Sequence, residues 1–185
     1  YGISNSWEVS MEVPHFWHYS TGDGNHKGLG DINLVGKCLV AEKEDFPAFV
    51  LKGVLKTRTG DETLGLGTGD EDYQFAAAAS KQIGKYALHG MFGYTLTGKE
   101  RHPELRNTHF YGMAADYEMN EKWHLAAELS GQRHPDRESK TDPLATFLGF
   151  TCRISEKMTG DGGVKIGNTE SAQKWSLHSG VTITF

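Results

Sequence analysis

Hydrophobic and polar side chains alternate along most of this chain in segments of about ten residues, the length a tilted β-strand needs to cross a bilayer. In the first segment Trp7, Val9, Met11 and Val13 share one face while Glu8, Ser10 and Glu12 share the other. Ile32, Leu34, Gly36, Cys38 and Val40 then alternate against Asp31, Asn33 and Lys37, and Phe49, Leu51, Gly53 and Leu55 against Lys52, Lys56 and Arg58. The pattern recurs over residues 73–80, 86–96, 111–118 and 123–132, and Leu144, Leu148, Phe150, Cys152 and Ile154 form an eighth stripe. Residues 157–167 make a weak, glycine-rich ninth; Trp175, Leu177, Val181, Ile183 and Phe185 make a clear tenth.

The connections carry a second regularity. Short turns are predicted at Glu42 to Asp45, Gln82 to Lys85, Met119 to Lys122 and Ser155 to Lys157. Long polar loops are predicted at 14–27, 59–72, 97–107, 133–142 and 168–174. Short turns alternating with long loops are the habit of outer-membrane barrels, with the turns on the periplasmic side. The expectation is one domain over residues 1–185, an all-β, transmembrane, antiparallel up-and-down β-barrel of a bacterial outer membrane, ten strands visible and Phe185 at the periplasmic end. Tyr1-Gly2-Ile3 reads as the tail of an earlier strand, so an N-terminal hairpin is expected to precede this chain and the complete barrel to have twelve strands.

Composition narrows the alternatives. With 37% hydrophobic residues and a mean hydropathy of -0.51, the chain has no run approaching the roughly 18 apolar residues of a membrane helix. Barrel strands show lipid only every second residue, which dilutes that signal. A net charge of -5 without a Lys/Arg run argues against nucleic acid. Cys38 and Cys152 fall on the outward stripes of different strands and are expected to be unpaired.

With the oily stripe on lipid, the other stripe faces a lumen: Glu8, Glu12, Asp31, Lys37, Lys52, Lys56, Arg58, His89, Asp116, Glu118, His124, Glu128, Arg153 and His178. Acidic groups come from the first, sixth and seventh strands and basic ones from the third, which predicts ion pairs across a narrow lumen. Two readings stay open with equal weight: these groups fill a small barrel, or they line a solute path. At around twelve strands a large aqueous pore is not expected.

Other chemistry is weaker. Gly65-Leu66-Gly67-Thr68-Gly69-Asp70 and Gly160-Asp161-Gly162-Gly163 are not followed by helices, so neither predicts a phosphate loop. Asp70, Glu71 and Asp72 could hold a divalent cation at the outer rim, with a solvated loop the preferred reading. His15, His18, His26, His102 and His134 lie in or beside loops without metal-pair spacing. No metal or cofactor is expected. A lipase-like site would need a serine beside a histidine, and Ser130 with His124 or His178 does not establish one, so no enzyme is expected.

The order of several motifs resembles a family. Gly28-Leu29-Gly30-Asp31 opening a strand, Phe46-Pro47-Ala48 opening its partner, and Gly65-Leu66-Gly67-Thr68-Gly69-Asp70 leading into Asp72-Tyr73 are similar to the outer-membrane MetA-pathway-of-phenol-degradation family. Leu88-His89-Gly90, Gly93-Tyr94, Asp142-Pro143-Leu144 and terminal Phe185 continue the resemblance over nearly the whole chain. It implies a channel or transporter for small hydrophobic or aromatic compounds, an N-terminal hairpin ahead of this chain, and no catalytic residues to carry over.

Three readings therefore compete. The first is an outer-membrane channel for small solutes through a narrow charged lumen. The second is a structural barrel serving as membrane anchor or subunit of a larger assembly. The third, a soluble lipocalin-like barrel, would invert the faces and is disfavoured. Membrane lipid and a small solute are the expected partners; a homo-oligomer or a larger membrane complex stays open.

Overall fold

Alternation at period two makes strands because successive side chains leave a pleated backbone on opposite sides. In this computed structural model the described residues are 1–21, 24–43 and 46–185, with 17–21 described by backbone alone. The expected turn at Glu42 to Asp45 and loop 14–27 fall partly outside them, as does the side chain of His18. Twelve strands form: β1 (Trp7–Glu12), β2 (His15–Thr21), β3 (Gly24–Leu29), β4 (Asn33–Lys43), β5 (Phe46–Lys56), β6 (Asp72–Ile83), β7 (Tyr86–Leu96), β8 (Thr108–Glu118), β9 (Trp123–Gln132), β10 (Leu144–Ser155), β11 (Met158–Gly167) and β12 (Trp175–Ile183).

Ten of these make one sheet in the order β1-β4-β5-β6-β7-β8-β9-β10-β11-β12, antiparallel throughout. They are the ten stripes of the sequence. Part of the expected loop 14–27 is instead a two-stranded hairpin, β2 with β3. The two outer strands of the sheet, β1 and β12, are not paired with each other among the described residues. Residues 1–3 double back along the outer edge of β1: the Tyr1 ammonium donates to the Val9 carbonyl at 2.6 Å and the Val9 amide to the Tyr1 carbonyl at 2.9 Å.

Local chemistry explains the turns and the weakest strand. Between Ile83 and Tyr86 the chain reverses in two residues, with Gly84 at φ 59° in the left-handed region that favours glycine. At the β8–β9 turn the Asn120 side chain accepts the Lys122 and Trp123 amides, both at 3.0 Å, an Asx turn. The glycine-rich ninth stripe becomes full-length β11 because rings of β10 occupy the space its glycines leave. A methyl group at Gly163 would lie 2.3 Å from Phe147, and one at Gly162 would lie 3.1 Å from Phe150.

The described residues form no large hydrophobic core. Among the described residues the buried apolar side chains are Val35, Leu66, Ala76 and Ala145, while Phe92, Met113 and Leu177 are 59%, 66% and 74% exposed. This apolar face is convex: Gln74 of β6 and Ser176 of β12 line one cavity, so the sheet curls around its other face. Aromatic residues mark both rims of the convex face. Tyr86 and Tyr117 (5.0 Å apart) and Trp123 and Phe150 (5.5 Å) lie toward the short turns, and Tyr73, Tyr94, Tyr111 and Trp175 lie toward the long loops. Tyr86 to Tyr94 along a tilted strand spans about 20 Å, close to the apolar band of a barrel in lipid. An oily outside and polar inside is the inverse of a lipocalin. Placing a charge mid-band, Met113→Arg, at the residue that pairs with Gly90 halfway between Tyr86 and Tyr94, should cost about 2–4 kcal/mol in bilayer-reconstituted protein. Urea titration checks it; a change within ±0.5 kcal/mol would mean that this face does not meet lipid.

Candidate functional site

At the loop end of the barrel, charged groups fold two long loops inward. Asp31, 8% exposed, accepts the Gly60 and Thr68 amides, each at 2.9 Å. Lys56 reaches from the end of β5 between Asp72 Oδ2 at 2.6 Å and Asp31 Oδ2 at 3.9 Å, and also donates to the Thr68 hydroxyl. Asp72 in turn accepts the Gly98 amide at 2.8 Å. Asp70, 3% exposed, accepts the amides of Glu100, Arg101 and His102 at 3.1–3.2 Å. Asp70 is thus neither solvated nor aimed at a cation; its oxygens are spent on the 97–107 loop.

The motif Gly65-Leu66-Gly67-Thr68-Gly69-Asp70 acquires a structural meaning here. Gly65 and Gly69 both have φ 69°, which L side chains rarely adopt. A methyl at Gly67 would lie 2.5 Å from Asp31 Oδ1 and 2.7 Å from the Gly60 carbonyl. The loop therefore closes on Asp31, and Leu66 is buried beside Gly28 and Gly30. Outside this knot Arg58 pairs with Glu100 at 2.9 Å and Glu71 at 3.3 Å. In the same loop, the Thr63 hydroxyl and the Leu64 and Thr63 amides hold the Asp61 carboxyl below the usual carboxylate range. That turn is favoured at neutral pH and loosens only as pH falls through the lowered value.

Deeper in, register sets who faces whom. Glu8, Lys37 and Lys52 form one cross-strand row, with Glu8 on Lys37 at 3.0 Å. Ser80, His89 and Asp116 converge from β6, β7 and β8: Ser80 Oγ lies 2.8 Å from His89 Nδ1, and His89 Nε2 lies 2.9 Å from Asp116 Oδ2. His178 stands edge-on to Phe147 at 5.7 Å and shares a 2.8 Å hydrogen bond with Ser176. Glu12 accepts from Asn33 at 3.1 Å. Glu118 faces His124 across β8 and β9, and Glu128 lies in register with Phe147; Arg153 is paired in register with Thr159.

The ion pairs differ from those the sequence suggested. They join neighbouring strands or loops along the wall, and among the described residues none spans the lumen. Adjacent strands are about 5 Å apart whereas opposite walls are not, so short-range pairing favours neighbours. Asp31 and Arg58 lie beyond the strand ends, at the mouth. Both cysteines are free.

Two adjoining cavities follow the concave face. One of about 240 Å³ lies under the loops, with Lys56, Asp70 and His102 in its lining. The other, about 520 Å³, lies further along the wall, with Met91, Phe110 and Lys165 in its lining. Gln74, Thr95 and Gln132 belong to both linings, so the two lie side by side. The sequence reading passed over Met91, Phe110 and Lys165. Their parity within each strand was the available signal, but Met91 and Phe110 are apolar side chains on the otherwise polar face and β11 lacked a clear stripe.

A curled, up-and-down antiparallel sheet with an aromatic-rimmed apolar exterior and cavities along its concave face defines a transmembrane β-barrel protein. The family described as "Putative MetA-pathway of phenol degradation" matches residues 5–185, and the chain belongs to that family. No curated protein matches the chain. Among solved structures it is similar to an outer membrane channel from Pseudomonas putida F1, at 15% identity and TM-score 0.81, over 100% of this chain and 80% of that one.

Proposed function

We propose that this protein is an outer-membrane channel that passes small solutes, hydrophobic and aromatic compounds among them, through a narrow lumen. The observation that carries the reading is the pair of adjoining cavities along the concave face beneath the loops. The similar Pseudomonas putida channel and the family's phenol-pathway description support the same assignment. The lumen-facing groups Glu8, Lys37, Lys52, His89, Asp116, Glu128 and His178 then set the field a solute meets, while the knot around Lys56 sets the width of the mouth.

Catalysis is not part of this reading. Ser80, His89 and Asp116 have the connectivity of a nucleophile with its base. Yet Ser80 is paired on both sides, with Ala48 and His89, so its own amide lies in the sheet plane and is not aimed into the lumen to hold an oxyanion. The three residues instead lock one another and rigidify the wall.

Reconstitution into planar bilayers and liposomes tests the channel. Discrete conductance steps and swelling in small sugars or aromatic alcohols are the expected results. An electrically silent barrel that excludes every solute would overturn the proposal and favour a structural subunit.

A further inference from the structure

The larger cavity has one charged side chain in its lining, Lys165. Register places it between Phe147 of β10 and Ser176 of β12, half-buried, on the concave face. It makes no ion pair among the described residues. Glu128 stands in the same cross-strand row on the far side of Phe147, but it does not line the cavity and is not paired with Lys165. Lys56 and Lys37, by contrast, are already neutralised, by Asp72 and Glu8, while Lys52, in the row of Lys37, is unpaired among the described residues but does not line this cavity.

The same cavity carries an apolar element. Phe110 lies over Gly93, its ring 2.2–2.7 Å from where a methyl group there would sit, so the missing side chain of β7 makes room for the ring against the wall. Met91, which pairs in register with Gly112 beside it, adds a thioether, a group that packs well on aromatic edges. Gln74, Gln132 and Ser130 complete the lining with neutral donors and acceptors. A volume of about 520 Å³ falls within the usual range for small-molecule sites, about 300–1,000 Å³.

Taken separately, these halves ask for different ligands. A neutral aromatic would leave the ammonium facing it without a counter-ion, and a small inorganic anion would leave the Phe110 and Met91 surface wet. An unpaired ammonium in a partly enclosed cavity attracts an anion more strongly than one in open water. We propose that this cavity is a selectivity site for small aromatic carboxylates, Lys165 taking the carboxylate and Phe110 with Met91 taking the ring. The inference rests on the channel reading for its purpose, but the binding it asserts can be measured without conduction.

The test uses the protein refolded in detergent micelles, with benzoate as probe and acetate and benzyl alcohol as its two halves, followed by calorimetry or ligand-observed NMR. Benzoate should bind about tenfold more tightly than either half. Lys165→Met should remove that advantage, leaving benzoate and benzyl alcohol equal; Lys165→Arg should keep it, and Phe110→Leu should weaken benzoate while leaving acetate unchanged. Unheated gel migration confirms that each variant is folded. Benzoate binding that is unchanged in Lys165→Met, or no better than acetate in the parent protein, overturns the site. A barrel that conducts without Lys165-dependent benzoate binding keeps the channel and loses the site; a silent barrel that binds benzoate through Lys165 does the reverse.

Discussion

Lys56→Met should destabilise the outer mouth by about 3–5 kcal/mol, the usual consequence of leaving a buried carboxylate without its cation. The Lys56 side chain is 16% exposed and its partners Asp31 and Asp72 are 7% and 16% exposed, so solvent screens the group poorly. Methionine conserves the volume, which assigns the loss to charge. Both carboxylates also hold loop amides, of Gly60 and Thr68 for Asp31 and of Gly98 for Asp72. Repulsion between them would therefore spread the two loops. Urea unfolding of bilayer-reconstituted protein supplies the magnitude, and a double-mutant cycle with Asp72→Asn should return a coupling of about 1 kcal/mol or more. Additive effects would mean that the 2.6 Å contact contributes nothing of its own.

The second large effect belongs to Asp70. Three consecutive amides of the 97–107 loop converge on its two oxygens, and the group is 3% exposed. Asparagine fits the space but has one acceptor oxygen and turns an amide N–H₂ toward groups that themselves donate. Orphaned amides and the lost charge-assisted bonds together should cost about 2–4 kcal/mol. The loop should then come free of the mouth, so trypsin should cut after Arg101 much faster in Asp70→Asn than in the parent protein, and conductance should rise. Unchanged cleavage would show that other contacts hold the loop.

These two carboxylates illustrate what could be read in advance and what could not. Asp70 and Asp72 flank Glu71 in an acidic run, and by sequence the run invited a cation or a solvated loop. Which atoms face them depends on where the 97–107 loop returns in space, some 30 residues on, and no local pattern carries that information. Lys56 was legible as inward-facing by parity, because it alternates with Leu55. That its partners would be Asp31 and Asp72 required the β5–β6 register, which pairs Lys56 directly with Asp72.

The hairpin of β2 and β3 was missed for a related reason. Its sequence, rich in His and Gly, has no oily stripe, since among the described residues it forms a separate two-stranded sheet, and the alternation rule detects strands through the face they turn to lipid. The glycines of β11 hid that strand's parity in the same way, since a residue with no side chain declares no face; the rings of β10 that cover them do so only after pairing.

By itself the sequence determined the ten strands of the sheet, their order, their lipid face and the alternation of turns and loops. These are local: period two shows which side of a strand is apolar, and a short connection forces antiparallel neighbours together. Tertiary structure alone decided which inward residues share a cavity, which carboxylate serves which loop, and that Lys165 has no ion-pair partner among the described residues. Curling the sheet brings β6 opposite β12, and side chains separated by a hundred residues then define the space a solute would enter.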